Sequence, residues 1–285
     1  MFPKAKNLCR AVLCLIVLAM LLGITSCSSV ETLSDRQDRE QEILSREVKD
    51  ELMVGRQMAA KLLGRFPMYT GSTEAVEYVK LVGHTLARQS GRPEVKFYFA
   101  ILDTPDINAF ATPGGYIFVT KGLLQTLRSE SELAAVLGHE IGHVNEKHMY
   151  KMIAPKKQVS ANESIARMLS RGNSDLGASI SQIVNSGLKL LLEEGLGSEK
   201  EHAADEAATL YALASGYPPS GMLSVVKKIS EKNKTETLAK THPPFPERIA
   251  SLELFMRQNG LNTQPPPLPT VVASRFNQAF KSVSN

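Results

Sequence analysis

The sequence Leu137-Gly138-His139-Glu140-Ile141-Gly142-His143-Val144 determines how the rest of the chain is interpreted, because it carries the pattern H-E-x-x-H. On a helix of 3.6 residues per turn, His139 and His143 lie about 40° apart, so both imidazoles can bind one metal ion from the same face. Glu140 lies beside them and supplies a carboxylate that can accept a proton from water. A zinc hydrolase needs these three groups, although a chance match or a structural role would give the same letters.

The helix that carries this motif is expected to begin at an N-cap, Ser129 or Ser131, and to run to about Tyr150. Another histidine, His148, follows nine residues after His139, which is about 180° around a regular helix. If the helix stays regular, His148 cannot reach the ligand face. We therefore exclude it as a ligand at this stage.

The third protein ligand of a zinc site must then come from elsewhere in the chain. The longer pattern H-E-x-x-H-x-x-G-x-x-H is absent, because positions 146 and 149 hold Glu146 and Met149. An alanine-rich helix predicted at 199–208 offers Glu201 as a ligand, and Asp205, on the same face, could bond the far nitrogen of a zinc histidine. A solvated acidic helix is the alternative. Four small residues would let the two helices approach: Gly138, Gly142, Ala203 and Ala204.

The first 26 residues resemble a lipoprotein signal peptide. Three cations, Lys4, Lys6 and Arg10, precede an apolar run at 11–24 that is short for a bilayer span. The run ends in Ile24-Thr25-Ser26-Cys27, which resembles the lipobox in which the cysteine is lipidated. An ordinary secretory signal is the alternative. By resemblance to Gram-negative lipoproteins, Ser28 after Cys27 indicates the outer membrane.

Removing this segment changes the number of cysteines and the net charge of the chain that remains. Cys9 and Cys14 fall within the signal, so Cys27 would be the only cysteine of the mature chain and could form no internal disulfide. Of the 33 cations, three belong to the signal, which leaves 30 against 29 acids, a net charge of +1 instead of +4. This near-neutral balance gives no support to nucleic-acid binding.

The whole sequence, with 43% hydrophobic and 22% charged residues, suits a globular protein, and after the signal we expect an α+β fold that is mostly helical, with a small sheet. We expect a polar tether at 27–50, the main domain at 51–258 and a proline-containing tail at 259–285. Within the domain, 153–197 is an insertion whose second half is apolar. That half could form core or intersubunit packing, a lid over the site, or a lipid-facing surface.

Two strands are predicted, at 95–102 and 116–120, and the segment between them contains Pro113-Gly114-Gly115. This segment has two possible roles. It could be a plain hairpin turn, or its backbone could lie close to the metal and pair with an extended substrate at the edge of the sheet. In the second case the candidate substrate-binding residues are Asn108, Ala109, Phe110, Gly114 and Gly115.

Taken in order, these motifs resemble the gluzincin metallopeptidases of the CAAX-prenyl-endoprotease and HtpX-like family. The resemblance covers roughly residues 50–258, in which H-E-x-x-H is followed by the E-x-x-A-D pattern that Glu201 begins. Further segments carry it: Asn108-Ala109-Phe110-Ala111, Pro113-Gly114-Gly115, Ala214-Ser215-Gly216-Tyr217-Pro218-Pro219, Thr241-His242-Pro243-Pro244 and Glu247-Arg248-Ile249.

The resemblance implies a zincin-like domain in which the edge strand of the small sheet flanks the motif helix. It implies that one zinc ion is bound by His139, His143 and Glu201, and that Glu140 is the catalytic base. It implies that Asp205 holds His139 in position. It also places His242 near the metal, as an oxyanion stabiliser or a fourth ligand, whereas a structural contact is the alternative for a loop histidine before two prolines.

The expected activity is that of a zinc endopeptidase lipid-anchored at the periplasmic side of the outer membrane. No apolar run after the signal is long enough to span a bilayer, which resembles the periplasmic lipoprotein branch. The expected substrates are unfolded or misassembled envelope proteins. Two alternatives are a metal-stabilised chaperone or assembly factor with latent protease activity, and a helical lipoprotein whose histidines merely pack. No C-terminal helical-repeat domain is expected, and the oligomeric state stays open.

Overall fold

The computed structural model describes residues 33–154, 174–232, 244–264 and 269–283. By internal contacts the chain divides into two units, Met1–Ser45 and Arg46–Asn285. The second unit holds the sheet and nearly all of the helices. The predicted signal peptide, Cys27, Ser28 and His242 all lie outside the described residues.

The described chain is mostly helical. A long first helix, α1 (Leu33–Arg65), runs through the boundary predicted between tether and domain, and Asp50 and Glu51 within it are buried. The remaining helices are α2 (Thr73–Ala87), α3 (Lys121–Thr126), α4 (Glu130–Asn145), α5 (His148–Ile153), α6 (Ser174–Lys189), a π-helical turn (Leu190–Glu194), α7 (Ser198–Ala214), α8 (Gly221–Lys232), α9 (Phe245–Gln258) and α10 (Thr270–Phe280). None of the helices described combines the length and apolarity needed to cross a membrane.

The sheet has three strands, β1 (Tyr98–Leu102), β2 (Ala109–Thr112) and β3 (Tyr116–Thr120), in the order β1-β3-β2. Strand β1 runs parallel to β3, whereas β2 and β3 form an antiparallel hairpin. The sequence predicted only β1 and β3. The segment between them forms β2 because the turn Pro113-Gly114-Gly115 lets the chain fold back, with both glycines at positive φ (76° and 91°). The α+β prediction with a small sheet is confirmed, and β2 is an edge strand.

The motif helix α4 passes through the centre of the domain, and every residue from Glu130 to Val144 is buried. It begins as predicted, since the Ser129 side chain accepts a hydrogen bond from the Glu132 amide. Its predicted end at about Tyr150 is wrong: α4 ends at Asn145. Lys147 then adopts a left-handed conformation (φ 53°), and α5 begins at His148.

Small residues let α4 and α7 pack closely, as expected, but one predicted member is wrong. A Cβ atom built on Gly138 would lie 3.2 Å from Ala208 Cα, and one on Gly142 would lie 3.1 Å from Ala207 Cβ. Ala204 is buried at this contact, whereas Ala203 is exposed. The face of α7 that contacts α4 is therefore formed by Ala204, Ala207 and Ala208, and Ala203 is not part of it.

The C-terminal segment contributes to the core. Helix α10, which the sequence did not predict, buries Phe276 and Phe280 against Tyr78 of α2. Its Arg275 pairs with the buried Glu130 at the start of α4, with Nη2 2.8 and 2.6 Å from the two carboxylate oxygens. The beginning of the motif helix is thus fixed by a segment far along the chain.

Candidate metal centre

Two helices bring three buried side chains together at the centre of the domain. Helix α4 supplies His139 and His143, whose Nε2 atoms lie 3.0 Å apart. Helix α7 supplies Glu201, with Oε2 3.6 Å from His139 Nε2 and Oε1 3.4 Å from His143 Nε2. The three residues predicted as ligands therefore converge.

The spacing of these atoms fits a zinc ion. Metal–ligand bonds of about 2.0–2.2 Å in a tetrahedral site place ligand atoms about 3.3–3.6 Å apart, close to the separations of 3.0 to 3.6 Å in the triad. Two imidazoles and one carboxylate are the protein ligands of several catalytic zinc sites, in which the fourth position stays open. The donor set and its spacing therefore fit a zinc ion bound by these three residues.

Glu140 and the start of strand β2 border the same space. A cavity of about 30 Å³ beside the triad is lined by Asn108 and Ala109 and by Glu140, His143 and Glu201. Glu140 is 6% exposed, so its carboxylate faces the cavity and not bulk solvent. The predicted base and two of the predicted substrate-binding residues are thus neighbours of the ligands.

The other predicted substrate-binding residues lie elsewhere. Phe110 is buried in a cluster with Ala59 and Leu62 of α1 and does not line the cavity, unlike its neighbours Ala109 and Ala111. Gly114 and Gly115 form the hairpin turn at the far end of β2, where Gly114 packs against Leu52. The structure therefore places these three residues in the scaffold and not along the cavity, in keeping with the hairpin alternative.

Asp205 lies behind His139. Its Oδ1 is 2.9 Å from His139 Nδ1, although the contact is poorly aligned with the N–H direction. Burial by itself lowers the pKa of His139, but Asp205 and Glu201 outweigh it and raise that pKa to about 10 in the absence of metal. For the Asp205 carboxyl, burial raises the pKa, whereas Arg248 and His139 lower it more, so the group is ionised. Asp205 can thus hold His139 Nδ1 while Nε2 faces the metal position.

Sequence reasoning missed the role of Arg248. This residue of α9 is 4% exposed and forms a two-pronged contact with Asp205, Nε to Oδ2 at 2.8 Å and Nη2 to Oδ1 at 2.6 Å. Its Nη1 also lies 3.6 Å from Glu201 Oε2. One signal could have identified it, because Arg248 occupies the apolar stripe of α9 with Phe245 and Leu252, where an unpaired charge would be costly.

The structure also changes the interpretation of His148. Because α4 breaks at Lys147, the assumption of a regular helix is wrong, and His148 Nδ1 lies 3.0 Å from His143 Nδ1. The residue is not one of the three converging ligands. It touches the side of His143 that faces away from them. Burial, followed by the charges of His143, Lys151 and Lys200, lowers the pKa of His148 to about 4.

The apolar half of the predicted insertion forms one wall of the cavity. Helix α6 packs on Val54 and Met58 of α1 and on Ile153, and the π-helical turn follows it directly. Four residues of this region line the space beside the triad: Leu190, Leu191, Gly195 and Leu196. A volume of about 30 Å³ holds a water molecule or two and excludes a peptide.

Comparison with known proteins supports the same interpretation of the site. The chain is 23% identical to the beta-barrel assembly-enhancing protease of Escherichia coli strain K12 over 258 residues, 86% of this chain and 52% of that protein. It is 28% identical to the mitochondrial metalloendopeptidase OMA1 of Schizosaccharomyces pombe over 184 residues, 63% of this chain and 52% of that protein. It is also 28% identical to the metalloprotease LoiP of E. coli K12 over 177 residues, 60% of this chain and 66% of that protein.

The chain spans about half the length of the first two of these relatives. The family model "Peptidase family M48" matches residues 74–255, which include the motif helix, the sheet, Glu201 and Arg248. The match therefore covers every described residue of the metal centre. The chain belongs to peptidase family M48, whose metal is zinc.

Proposed function

We propose that this protein is a zinc-dependent endopeptidase that cleaves unfolded or misassembled proteins of the bacterial envelope. The observation that carries the proposal is the meeting of two histidines and a glutamate with a separate carboxylate, Glu140, at one buried cavity. A purely structural metal site would be closed by a fourth protein ligand and would need no such carboxylate.

Each residue has a distinct part in the proposed mechanism. His139, His143 and Glu201 would hold zinc, which would supply Lewis acidity for the scissile carbonyl and the attacking water. Glu140 accepts a proton from the attacking water and later returns it to the departing amine nitrogen. Asp205 and Arg248 act through His139 and keep its Nε2 pointed at the metal position.

The edge of the sheet offers a place for the substrate main chain. Strand β2 pairs with β3 along one side only in the described part of the chain, and its first residue, Ala109, lines the catalytic cavity. An extended peptide lying along this edge would form main-chain hydrogen bonds and bring its scissile bond towards Glu140.

A second cavity gives the proposed substrate a side-chain site. It has a volume of about 50 Å³, borders His139 and Glu140, and is otherwise mostly apolar. Its walls include Leu123, Val136, Met222, Val225, Ile229 and Phe245. A small apolar side chain next to the scissile bond fits these walls, and the polar residues Asn108 and Arg248 also border the cavity.

The π-helical turn and Leu196 act as a lid in this proposal. With the wall in the described position the cavity is too small for a peptide, so the wall must move for cleavage to occur. Single π-helical turns are uncommon and often mark functional sites. Gly195 at φ 77° follows the turn and could absorb a change in backbone direction.

The proposed location is the periplasmic side of the outer membrane, with lipid attached to Cys27. The support comes from the sequence Ile24-Thr25-Ser26-Cys27 after a short apolar run, and from the name of one relative, the beta-barrel assembly-enhancing protease. Changing Cys27→Ser should release the protein from isolated membranes. Continued tight attachment of that variant would count against the anchor.

The activity itself is tested with Glu140→Gln. This variant keeps the shape of the side chain but cannot accept the proton, so zinc should remain stoichiometric while cleavage of an unfolded protein such as casein falls by about 10²–10⁴-fold. The matched control is Glu146→Gln, which makes the same chemical change at an exposed position on the C-cap of α4. Full cleavage by Glu140→Gln would eliminate the proposed mechanism.

A further inference from the structure

The two nitrogens of His143 face different neighbours. Nε2 points to the other ligands, 3.0 Å from His139 Nε2 and 3.4 Å from Glu201 Oε1. Nδ1 points the opposite way and lies 3.0 Å from His148 Nδ1. A histidine binds metal through an unprotonated nitrogen, so Nδ1 of His143 must carry the proton in the metal-binding form. That N–H needs an acceptor, because the site is buried.

We infer that His148 is a positioning residue, which accepts this hydrogen bond and so fixes the tautomer and ring orientation of His143 as a metal ligand. The inference rests on the zinc site of the proposed function. To accept, His148 must be unprotonated at Nδ1 and carry its proton on Nε2. His148 is 7% exposed and its ring is tilted 71° from that of His143.

The break between α4 and α5 is what creates this contact. On a continuous helix, His148 would lie about 140° around from His143 and could not meet it. Lys147 redirects the chain by adopting φ 53°, and it is the one non-glycine residue with positive φ in the described ranges. Such a conformation persists only where the surroundings hold it. Here the Lys147 amide donates to Val144 O at 3.1 Å, and its Nζ lies 3.4 Å from Glu47 Oε1.

The side chains that hold the two histidine ligands in position thus differ in charge. His139 is backed by the Asp205 carboxylate, and His143 by a neutral imidazole. Glu201, Asp205 and Glu140 already bring three carboxylates to the site, balanced in part by Arg248. A neutral acceptor orients His143 without adding another carboxylate, which suits a metal position that must remain electrophilic.

The test measures zinc affinity of the full chain by competition with a chromophoric chelator, with zinc alone as the probe. His148→Leu removes the acceptor, whereas His148→Asn puts an amide oxygen near the position of Nδ1. We expect about a 10–100-fold loss of affinity for His148→Leu and a clearly smaller loss for His148→Asn. The control is His84→Asn, because His84 packs on Phe99, away from the site. Wild-type affinity in His148→Leu, or equal losses in both variants, would overturn the inference.

A second readout follows the proton itself. Nitrogen NMR of the zinc-loaded protein should show a slowly exchanging Nδ1–H on His143 in the wild type, which is lost in His148→Leu and kept in His148→Asn. A rapidly exchanging Nδ1–H in the wild type would contradict the assignment. If His148→Leu does not fold, Lys147→Gly and Lys147→Val serve instead, because glycine adopts positive φ readily and valine does not. Wild-type zinc affinity in Lys147→Val would then refute the inference.

This test is independent of the proposed activity. Zinc affinity and the His143 signal are measured without substrate, whereas Glu140→Gln reports on cleavage. Loss of cleavage in Glu140→Gln with unchanged zinc affinity in His148→Leu would leave the peptidase proposal standing and remove only the role of His148.

Discussion

The guanidinium of Arg248 and the carboxylate of Asp205 form a buried pair joined by two hydrogen bonds, of 2.8 and 2.6 Å. Each residue is 4% exposed or less, so neither charge is compensated by solvent. Burial lowers the pKa of Arg248, but the charge and hydrogen bonds of Asp205 raise it more, and both groups stay ionised. The pair connects α9 to α7 directly behind the metal ligand His139.

Replacing Arg248 should therefore harm both stability and metal binding. Arg248→Met leaves Asp205 buried without its partner, and we expect a loss of about 3–5 kcal/mol in the free energy of unfolding of the metal-free protein. Urea denaturation measures the loss. Arg257→Met is the control on the same helix, where the side chain is exposed, and should change stability by less than about 0.5 kcal/mol. Equal stability of the two variants would show that the buried pair contributes little.

Removing zinc should destabilise the wild-type protein. A ligand at 1,000 times its Kd stabilises the folded state by about 4 kcal/mol, so a chelator should lower the Tm measured by calorimetry. Glu201→Gln removes the charged ligand and should abolish most of this zinc-dependent difference. Glu199→Gln makes the same change at an exposed position of α7 and should retain it. A chelator effect that persists in Glu201→Gln would mean that the metal binds elsewhere.

Stability should fall at alkaline pH because of Tyr78. Burial, aided by the hydrogen bond to Glu130, raises the pKa of Tyr78 to about 12, whereas an unfolded tyrosine ionises near 10. The contribution of this pKa difference to the free energy of unfolding is fully present below pH 10. It is lost as pH rises through 12, and the total loss is up to about 2–3 kcal/mol. Urea denaturation of wild type and Tyr78→Phe at pH 9, 10 and 11 checks this. The curve for Tyr78→Phe should be flatter, and parallel curves would contradict the prediction.

Enlarging Gly142 should separate the two ligand-bearing helices. A Cβ atom at this position already lies 3.1 Å from Ala207 Cβ and 3.4 Å from Ala204 Cα. Gly142→Val should cost about 1–3 kcal/mol and weaken zinc binding, because α7 carries Glu201. The control is Gly64→Ala near the end of α1, where a Cβ atom meets nothing within 4 Å and stability should rise by up to about 1 kcal/mol. Unchanged zinc affinity in Gly142→Val would argue against close helix packing as a requirement of the site.

Shortening the proposed lid should speed cleavage. Leu191→Ala removes part of the wall that reduces the cavity to about 30 Å³, and we expect kcat/KM for an unfolded protein to rise several-fold with zinc affinity unchanged. Leu254→Ala, at an exposed leucine of α9, is the control. A lower or unchanged kcat/KM for Leu191→Ala would refute the lid.

The parts of the site that depend on local spacing could be predicted from the sequence. His139 and His143 follow from the period of a helix, and the Ser129 cap follows from the preference of serine for that position. Glu201 and Asp205 were candidates because they share a helix face, and the family resemblance implied their roles. The α+β class with a small sheet followed from the β-branched and aromatic run at 95–102 and from the helical patterns around it.

The parts of the fold and of the site that depend on tertiary contacts could not be predicted from the sequence. Asn145 gives only a weak signal for a helix end near Lys147, since lysine is an ordinary helix former and neither glycine nor proline occurs between His143 and Ile153. His148 was therefore excluded as a ligand, but its contact with His143 was not predicted. Arg248 and helix α10 were not predicted for a similar reason. Asp205, the partner of Arg248, lies 43 residues earlier in the chain. Glu130, the partner of Arg275 in α10, lies 145 residues earlier.

The pairing of Arg275 with Glu130 has a consequence for the order in which the protein becomes active. Synthesis proceeds from the N-terminus, so His139 and His143 leave the ribosome well before Glu201 and Arg248, and α10 follows later still. The buried Glu130 at the head of the motif helix has no cationic partner at Arg275 until that last described helix docks. A growing chain thus carries the two histidine ligands before the rest of the site has been made, and the head of the motif helix gains the Arg275 partner only after α10 has been synthesised.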